Sequence, residues 1–572
     1  MPSSPSSTTP KRCAVVGAGA AGLACARWAL AYGFLPVVLE RRADLGGLWR
    51  YTSKVLPNEL ATVMRCTVTN SSKELTAFSD FPPDPLLPNY MRHEKMLAYL
   101  EAYARHHKLE QYIQFDKKVI QICRSSDYAE TGQWTVQWQN GDGQRIEETF
   151  HCVLVAIGHH AKPNWPSWPG LEQFQGKIVH SHDFRCATPD MEDKVNVVVG
   201  ASDSAVDMAV ELSRASKEVA SICIILIDPL AQMTPKVLLS IRRGFWVFRK
   251  CSFGGGLPVD SVFTTRFNSL LFRYAPRFFN EWRLVRFLQK GLDHAMYGLM
   301  PCVSPLISQF FAVNDELPGR ILAGMVTVKP NIQQFTENGI VWEDGTCTDR
   351  VDNVLLGTGY CFDFEMIERG QLIPIDSHGS NSTAPLHKHM FPLATSDWNS
   401  LAIIGIVQPT GSKLCVVEMQ ARLFFEVRCG RVKLPSTDAM RQEMVAKMKP
   451  KEPMRHAHEV DYIGYMDELA SLVGCMPSLC RLLFSCQLRL FRAVLFGPNV
   501  SYVYRLRGPH PWTGAKCAVL GVPERMRQCM RTRECPMTKA FDGTAAFPII
   551  IIGTIIGILP LAFAAVVIRH YL

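Results

Sequence analysis

The chain has 572 residues, 47% of them hydrophobic, and a formal net charge of +9, which allows two to four domains and excludes a wholly disordered chain. No basic run with interleaved aromatics and no cluster with metal-ligand spacing is visible, so neither a nucleic-acid partner nor a metal is predicted. The 19 cysteines contain no C-x-x-C pair, which favours a reduced, cytosol-facing protein and argues against a disulfide reductase.

Residues 1–11 are rich in serine, proline and threonine and are predicted to be a disordered tail. The next stretch, CAVVGAGAAGLACARWAL, combines an apolar run, three glycines and an apolar segment with helical character. Gly17 suits the tight turn, Gly19 a close approach of backbone to a pyrophosphate, and Gly22 close packing of helix on strand. The pattern is typical of a dinucleotide site at a helix N-terminus.

A second predicted strand, PVVLE, ends at Glu40, where such folds bind a ribose hydroxyl. A carboxylate there suits the free 2′-hydroxyl of FAD or NAD and repels the 2′-phosphate of NADP. Gly46 and Gly47 follow, then Leu48 and Trp49, and paired glycines allow close backbone approach to a ligand. The acid and the glycines together favour a flavin pocket.

Residues 67–90 begin TVTNSSKEL and end in a proline-rich loop. On composition alone, Asn70 is interpreted as an Asx turn. Helical periodicity covers 92–106, two strands follow, and FHCVLVAIGHH is predicted to be a buried strand running into a glycine turn. His159 and His160 are adjacent, so they would not both face one metal, and we interpret them as structural.

A pattern F-x-G-x3-H-x3-F runs from Phe174 to Phe184, and KVNVVVGASDSAVDMAVEL then repeats the strand–turn–helix architecture. Two dinucleotide sites in one chain suggest a flavin and a nicotinamide, the arrangement needed to pass a hydride between them. Later segments, DRVDNVLLGTGY and SLAIIGIVQPTGS, are each predicted to contain a buried strand.

The motifs GAGAAG, E-x5-GG-x-W, TNSSKEL, FQGKIVHSHDF, NDELPGRI and LLGTGY occur in the order seen in flavin-containing monooxygenases, and the chain resembles the animal, microsomal type of that family. The F-x-G-x3-H-x3-F run is the most specific of these signals, and the resemblance covers nearly the whole chain. It implies FAD and NADPH as cofactors, O2 as co-substrate, and oxygenation of a soft amine or sulfide of a small molecule through a flavin C4a-hydroperoxide.

The resemblance also implies roles for individual residues. Asn70 matches the family's asparagine near the flavin and nicotinamide and becomes the leading catalytic residue. Cofactor contacts are implied at Gly17, Ala18, Gly19, Ala20, Ala21, Gly22, Glu40, Gly47, Leu48, Trp49, Thr69, Asn70, Ser71, Gly200, Ser202, Ser204, Ala205, Asp207 and Arg242.

The second glycine motif departs from the family's G-x-G-x-S-G pattern. Ser202 puts a Cβ where backbone should approach the pyrophosphate, and Asp203 adds a negative charge near the phosphates unless it points to solvent. Ala205 at the third position is tolerated in such folds. Ser204 and Asp207 match the family, so NADPH binding is predicted, though weakened.

Residues 219–236 look like an insertion relative to the family, expected as a surface loop. Either SICIILI or VLLSI could supply the next strand. The resemblance favours VLLSI, with Arg242 at its end to hold the 2′-phosphate, whereas SICIILI would place the opposing Asp228 there. Residues 261–300, rich in aromatic and basic residues, are either core helices with a solvated basic face or a surface facing the membrane or the incoming substrate.

The uncharged stretch 545–568 exceeds the ~20 residues that span a bilayer, and the flank before it carries Arg525, Arg527, Arg531, Arg533 and Lys539. A tail anchor with the catalytic body in the cytosol is predicted, and the resemblance implies the endoplasmic reticulum. Membrane anchoring also makes a homo-oligomer plausible, but the sequence does not fix the oligomeric state.

The predicted fold is therefore α/β, with two Rossmann-like dinucleotide-binding domains and a C-terminal transmembrane helix. The expected boundaries are 12–170 and 336–440 for a discontinuous FAD-binding domain, 171–335 for an inserted NADP-binding domain, 441–544 for a helical region and 545–568 for the anchor. The alternatives are an NADPH oxidase that releases H2O2, a Baeyer–Villiger-type monooxygenase, and a membrane-tethered flavin-binding protein that has lost catalysis.

Overall fold

The computed structural model describes residues 10–55, 61–160, 162–215, 237–252, 256–301, 311–378, 381–448 and 458–533. The predicted insertion 219–236 and the predicted anchor 545–568 lie outside these residues. Within the described ranges, no helix is both long and apolar enough to cross a bilayer.

The strands are numbered along the chain. They are β1 (Arg12–Val16), β2 (Leu35–Leu39), β3 (Ile113–Gln114), β4 (Lys117–Arg124), β5 (Trp134–Asn140), β6 (Arg145–Phe150), β7 (Cys152–Val155), β8 (Lys162–Pro163), β9 (Lys177–His180), β10 (Asn196–Val199), β11 (Val237–Ser240), β12 (Trp246–Phe248), β13 (Phe311–Val313), β14 (Val326–Lys329), β15 (Ile332–Phe335), β16 (Ile340–Trp342), β17 (Cys347–Thr348), β18 (Asn353–Leu356), β19 (Tyr360–Cys361), β20 (Asp376–His378), β21 (Asn381–Thr383), β22 (Leu386–His387), β23 (Phe391–Pro392), β24 (Leu401–Ile403), β25 (Gln408–Pro409) and β26 (Glu459–Val460).

The helices are numbered in the same way. They are α1 (Ala20–Ala31), α2 (Lys73–Thr76), α3 (His93–His106), α4 (Tyr128–Thr131), α5 (Asp203–Ala215), α6 (Val259–Phe263), α7 (Arg266–Tyr274), α8 (Arg277–Gln289), α9 (Leu317–Leu322), α10 (Lys413–Arg428), α11 (Thr437–Met448), α12 (Tyr462–Val473), α13 (Leu479–Phe484), α14 (Leu488–Phe496) and α15 (Ala515–Gln528).

The chain divides into two compact units. The larger comprises Met1–Asn70, Met91–Lys250 and Ala275–Tyr462, and the smaller comprises Ser71–Tyr90, Cys251–Tyr274 and Ile463–Leu572, of which only the described residues are discussed.

The first sheet of the larger unit has the strand order β24-β7-β1-β2-β3, and every neighbouring pair is parallel. Its central strands are continuous apolar runs, as expected for strands covered on both faces. Ala14, Val153 and Leu401 are completely buried in its core. The last strand, β24, comes from SLAIIGIVQPTGS and completes the sheet from far along the chain, as the resemblance implied.

The second sheet of the same unit has the order β14-β11-β10-β18-β9 and is also parallel throughout. Val237–Ser240 pairs with Asn196–Val199, so VLLSI does supply the strand that follows the second glycine motif. All the strands of this sheet lie between β7 and β24 in sequence, so the second sheet is inserted into the first.

One expectation about this sheet was wrong. The segment DRVDNVLLGTGY was assigned to the FAD-binding domain, within 336–440, but its strand β18 pairs with β9 and β10 of the second sheet. Its four residues are all buried. A buried apolar run in the sequence does not indicate which of the two parallel sheets the strand joins. The second sheet therefore extends beyond the predicted boundary at 335.

The smaller unit corrects two more boundaries. Ser71–Tyr90, expected in the FAD-binding domain, and Cys251–Tyr274, expected in the NADP-binding domain, both join the C-terminal helices. The Glu74 carboxylate accepts two hydrogen bonds from the Arg525 guanidinium, each at 2.7 Å, and the buried Arg266 pairs with Asp467. These charges satisfy one another inside the unit, and sequence spacing carries no sign of such pairs.

The region 261–300 is helical, built from α6, α7 and α8, and its side chains are divided between burial and exposure. Arg266 and Leu270 of α7 are buried, whereas Phe278 and Trp282 of α8 are 74% and 57% exposed. Neither of the two expectations for this region describes all of it.

Candidate dinucleotide sites

The first glycine turn joins β1 to α1 at the carboxyl edge of the first sheet. Gly17 has φ +102°, and its N–H donates to the Leu39 carbonyl at 2.9 Å. A Cβ on Gly22 would lie 1.8 Å from the Gly17 carbonyl oxygen, so no larger residue lets α1 pack here. The turn is therefore as tight as the motif predicts.

A second loop closes on this turn. Gly46 donates its N–H to the Ala18 carbonyl at 3.0 Å, and a Cβ on Gly47 would lie 2.9 Å from the Gly19 Cα. The backbones at Gly19 and Gly47 come into contact because neither of these residues carries a side chain. They form a cradle, defined by Gly17–Gly22 and Gly46–Trp49, beside the N-terminus of α1.

Glu40 is buried at the end of β2 and ties the cradle together. Its carboxylate accepts a hydrogen bond from the Ala18 N–H at 2.6 Å and another from the Arg42 N–H at 2.9 Å. The Arg42 guanidinium in turn donates to the Gly47 carbonyl at 2.9 Å. The structure thus brings Glu40, the turn Gly17–Gly22 and the pair Gly46–Gly47 together, as expected for one bound nucleotide.

The segment Thr69–Asn70–Ser71 spans the boundary between the units. Thr69 is buried and held by Met91, whose carbonyl accepts from the Thr69 N–H at 2.8 Å and whose N–H donates to the Thr69 hydroxyl at 3.0 Å. Asn70 is partly exposed, and among the described residues its carboxamide has no hydrogen-bond partner. The Asx turn suggested by composition is therefore not formed.

The second glycine turn joins β10 to α5. Gly200 has φ +132°, and a Cβ on it would lie 2.5 Å from the Gly357 carbonyl oxygen. A Cβ on Gly357 would lie 2.6 Å from the Ala205 Cβ. Ala205 therefore fits at the third motif position because the opposite residue is a glycine.

Ser202 and Asp203 have local partners in this turn. The Ser202 hydroxyl accepts from the Ala205 N–H and donates to the Gly357 carbonyl, both at 3.3 Å, so it caps α5. The Asp203 carboxylate accepts from the Val313 N–H at 2.8 Å. The carboxylate that was expected near the phosphates, or in solvent, is instead tied to β13.

Asp207 lies on α5, about one turn after Asp203 and three residues after Ser204. It accepts from the Asn314 carboxamide at 3.1 Å. Burial and then the nearby Asp203 charge raise the pKa of Asp207 to about 7, against the lowering influence of Lys250 and Asn314. Arg242 is exposed two residues beyond the end of β11.

Sequence reasoning missed a stack of aromatic rings between the two sheets. His159, after β7, lies with its ring centroid 3.8 Å from that of His160, which stacks at 4.4 Å on Tyr360, after β18. His180, the histidine of the F-x-G-x3-H-x3-F pattern, lies 5.3 Å from the Tyr360 ring and donates through Nε2 to the Gly359 carbonyl at 3.1 Å. The hydrogen bond from His180 to Gly359 thus holds the loop that follows β18.

Two groups of this cluster, His180 and Tyr360, are held uncharged near neutral pH. Burial lowers the pKa of His180 to about 4 and raises that of Tyr360 to about 12. A sequence signal was available: IGHH and GTGY both follow a buried strand and a glycine. Nothing in the sequence shows that the two loops meet.

Both glycine turns are as tight as a dinucleotide site requires. In each, a Cβ on the first glycine, Gly17 or Gly200, would lie within 2.8 Å of a backbone oxygen, so only glycine fits beside the helix N-terminus. The first cradle leaves backbone bare and adds the buried Glu40, which suits FAD. The second offers Arg242 at its rim, which suits NADPH, but Ser202 already occupies the Ala205 N–H.

Comparisons with known proteins agree with this architecture. A family model described as flavin-binding monooxygenase-like matches residues 10–566. Dimethylaniline monooxygenase [N-oxide-forming] 2 of Macaca mulatta is 33% identical over 562 residues, covering 97% of this chain and 98% of that protein. Flavin-containing monooxygenase 5 of Mus musculus is 36% identical over 533 residues, covering 91% and 94%. The S-allyl-L-cysteine S-oxygenase of Allium sativum shares the fold, with a TM-score of 0.59 at 23% identity over 83% of this chain and 92% of that one.

Proposed function

The chain belongs to the flavin-binding monooxygenase-like family, and from that premise we propose that it oxygenates a soft nucleophilic nitrogen or sulfur of a small molecule. It is an NADPH-dependent flavoprotein monooxygenase with FAD and NADPH as cofactors. O2 supplies the transferred oxygen atom. The nature of the small molecule, an amine or a sulfide, follows from the electrophilic oxygen that a flavin provides when bound.

One observation carries the proposal: two glycine turns of dinucleotide type lie on two parallel sheets of a single unit. A ring stack from His159 to Tyr360 joins the loops that leave the carboxyl edges of both sheets. Ligands of such sheets bind outside these edges. The arrangement suits two cofactors that exchange a hydride.

In the proposed first site, Glu40 holds the ribose and the bare backbone around Gly19 and Gly47 admits the pyrophosphate. Leu48, Trp49 and Thr69 are the further cofactor contacts of this unit that the resemblance implies. The unpartnered carboxamide of Asn70 is available to donate a hydrogen bond to the flavin or the nicotinamide. We expect Asn70→Ala to consume NADPH while releasing more H2O2 per product than the wild type.

In the proposed second site, Gly200, Ser204 and Ala205 shape the turn, Ser202 and Asp207 lie beside it, and Arg242 binds the 2′-phosphate of NADPH. With these assignments, the FAD-binding domain is the first sheet with its flanking helices. The NADP-binding domain is the second sheet, including β18.

The test is reduction of the bound flavin without oxygen. NADPH should bleach the oxidised-flavin absorbance, and on readmission of air N,N-dimethylaniline should yield its N-oxide with NADPH consumed in proportion. Substrate-independent NADPH use with H2O2 release would indicate an oxidase. Oxygen insertion into a ketone in place of the amine would indicate Baeyer–Villiger chemistry.

A second candidate function, a flavin-binding protein without catalysis, is favoured by Ser202 alone, because its hydroxyl occupies the Ala205 N–H that a pyrophosphate would use. In that case NADPH leaves the flavin oxidised while dithionite still reduces it. The same experiment separates the two candidates.

The proposal includes the membrane of the endoplasmic reticulum, with the catalytic body in the cytosol and residues 545–568 as the anchor. The uncharged stretch and its arginine-rich flank support it. Removal of residues 545–572 should move the protein from the membrane pellet to the supernatant. Chemical cross-linking of the membrane-bound protein tests whether it self-associates.

A further inference from the structure

Lys413 is the first residue of α10, which follows β24, the last strand of the first sheet. The connection between them runs beside the first glycine turn, since a Cβ on Gly405 would lie 3.7 Å from the Ala21 Cβ of α1. Lys413 therefore lies at the same carboxyl edge as the cradle.

The Lys413 ammonium has a specific partner. Its Nζ lies 2.5 Å from Nε2 of His159, which follows β7, so the lysine donates and the imidazole accepts. Burial lowers the pKa of Lys413 to about 7, and no carboxylate offsets that effect. Lys413 is half-buried, and an amine that is partly desolvated with an imidazole rather than a carboxylate as its partner gains little stability from its charge, which makes a purely structural role a poor explanation.

The strand order fixes where a bound dinucleotide must extend. Glu40 at the end of β2 anchors the ribose, and the glycine turn after β1 receives the pyrophosphate. The remaining half of an extended molecule would then lie over β7 and β24, the next strands in the order β24-β7-β1-β2. Neighbouring strands are ~5 Å apart, so the flavin end would lie over the loops that carry His159 and Lys413.

We propose that Lys413, held by His159, is the cation that stabilises the negative charge acquired by the flavin ring on two-electron reduction. The proposal rests on FAD occupying the first site. The positive charge of Lys413 raises the reduction potential of the flavin and favours hydride uptake from NADPH. Lys413 acts on the flavin by its electrostatic field, and His159 positions it.

Other titratable groups lie near Lys413 and His159. His160 and Tyr360 continue the stack from His159, and Tyr462 packs against Gly411 on the loop before α10. Glu459 and Asp461 belong to the segment around β26, which pairs with β25. The variants below leave all of these unchanged.

The experiment measures the two-electron reduction potential of the bound FAD by titration against a reference dye. We compare the wild type with Lys413→Met and Lys413→Arg, at pH 6.0 and pH 8.5. Lys433→Met, at an exposed lysine beyond the other end of α10, is the matched control. At pH 6.0, Lys413→Met should lower the reduction equilibrium constant about tenfold, or ~30 mV for a two-electron couple.

Lys413→Arg should stay within threefold of the wild type, and Lys433→Met should not differ from it. The gap between the wild type and Lys413→Met should narrow to under threefold at pH 8.5, where the lysine is neutral before reduction. A role in packing alone would give the same gap at both pH values. If Lys413→Met does not fold, Lys413→Gln, which is polar but uncharged, decides the question by the same criterion.

The outcomes are distinguishable. If the wild type binds FAD and NADPH reduces it, but the uncharged variants keep the wild-type potential at pH 6.0, the role of Lys413 is wrong and the proposed function stands. If the purified wild type cannot bind FAD, both fail. A pH-dependent loss in Lys413→Met with a normal Lys433→Met supports the proposal.

Discussion

The two glycine turns of the larger unit solve the same steric problem with different chemistry. In the first, glycines meet glycines, and Gly19 faces Gly47 with bare backbone. In the second, the side chain of Ser202 caps the helix and Asp203 binds the backbone of β13. The N-terminus of α1 has no side-chain cap and leaves its N–H groups for a ligand or water, whereas Ser202 caps the N-terminus of α5. The difference predicts tight binding of FAD and looser binding of NADPH.

The largest effect should come from closing the first turn. Gly22→Ala places a Cβ 1.8 Å from the Gly17 carbonyl oxygen, so α1 must shift from the cradle. We expect FAD affinity to fall by ~100-fold or more, measured by flavin fluorescence, because several kcal/mol of packing is lost. Gly319→Ala, in a helix where the added Cβ meets nothing within 4 Å, is the control and should bind FAD normally.

The second-largest effect should come from removing the charge of Glu40, at the ribose end of the first site. Glu40→Gln keeps the size of the side chain but turns an N–H group toward the N–H of Ala18 or Arg42. We expect FAD affinity to fall by ~30-fold, since mispairing a buried hydrogen-bonding group costs about 2 kcal/mol. The exposed Glu110→Gln is the control. Unchanged affinity in Glu40→Gln would mean that FAD does not use this carboxylate.

Asp207 provides a test by pH on the second turn. Its pKa of about 7 lies above the ordinary value near 3.9, so the folded protein holds a proton that the unfolded chain has released. The free energy of unfolding therefore falls as the pH rises from about 4 to about 7 and is level above that. In Asp207→Asn this group does not titrate, so the fall in the free energy of unfolding over this pH range is absent.

We expect Asp207→Asn to gain ~3 kcal/mol on the wild type between pH 4.5 and pH 8, because the pKa of about 7 leaves about 2.5 pH units in this interval and each is worth up to 1.36 kcal/mol. Urea unfolding at the two pH values measures the gain. A constant difference between the two proteins would show that Asp207 is ionised throughout this range in the folded state.

The smallest effect should come from opening the second turn. Ser202→Gly frees the Ala205 N–H for a phosphate, and Asp203→Asn removes a negative charge beside it. The double variant should lower the apparent KM for NADPH by ~3–5-fold, since a cap contributes only about 1 kcal/mol. FAD affinity should be unchanged. If the KM for NADPH does not move, the native turn already binds NADPH as well as a glycine turn.

The sequence predicted what is local in the chain. The cradle was predicted because its chemistry lies within two short motifs, and the strand VLLS was identified because apolar β-branched and leucine runs mark buried strands. The strand β18 was misassigned because pairing is a property of distant segments. The placement of Ser71–Tyr90 was missed because buried pairs such as Glu74 with Arg525 join residues far apart in sequence.

The ring stack and the partner of Lys413 were out of reach for the same reason. His160 and Tyr360 are neighbours only after both sheets have formed. The hydrogen bond from Lys413 to His159 crosses from β24 to β7 in the same way. Contacts between segments this far apart in sequence, whether between the two sheets or within the first one, depend on tertiary packing, which hydrophobic periodicity does not encode.

The insertion of one sheet into the other has a consequence for synthesis on the ribosome. The edge of β7 lacks its neighbour until β24 emerges roughly 245 residues later. At ~5–20 residues per second, that interval lasts ~12–50 s. During it, the apolar run Cys152–Val155 is an open strand edge that a chaperone, or another nascent chain, can pair with. Slow codons between the two strands should therefore lower the yield of soluble protein more than slow codons placed after Ile403.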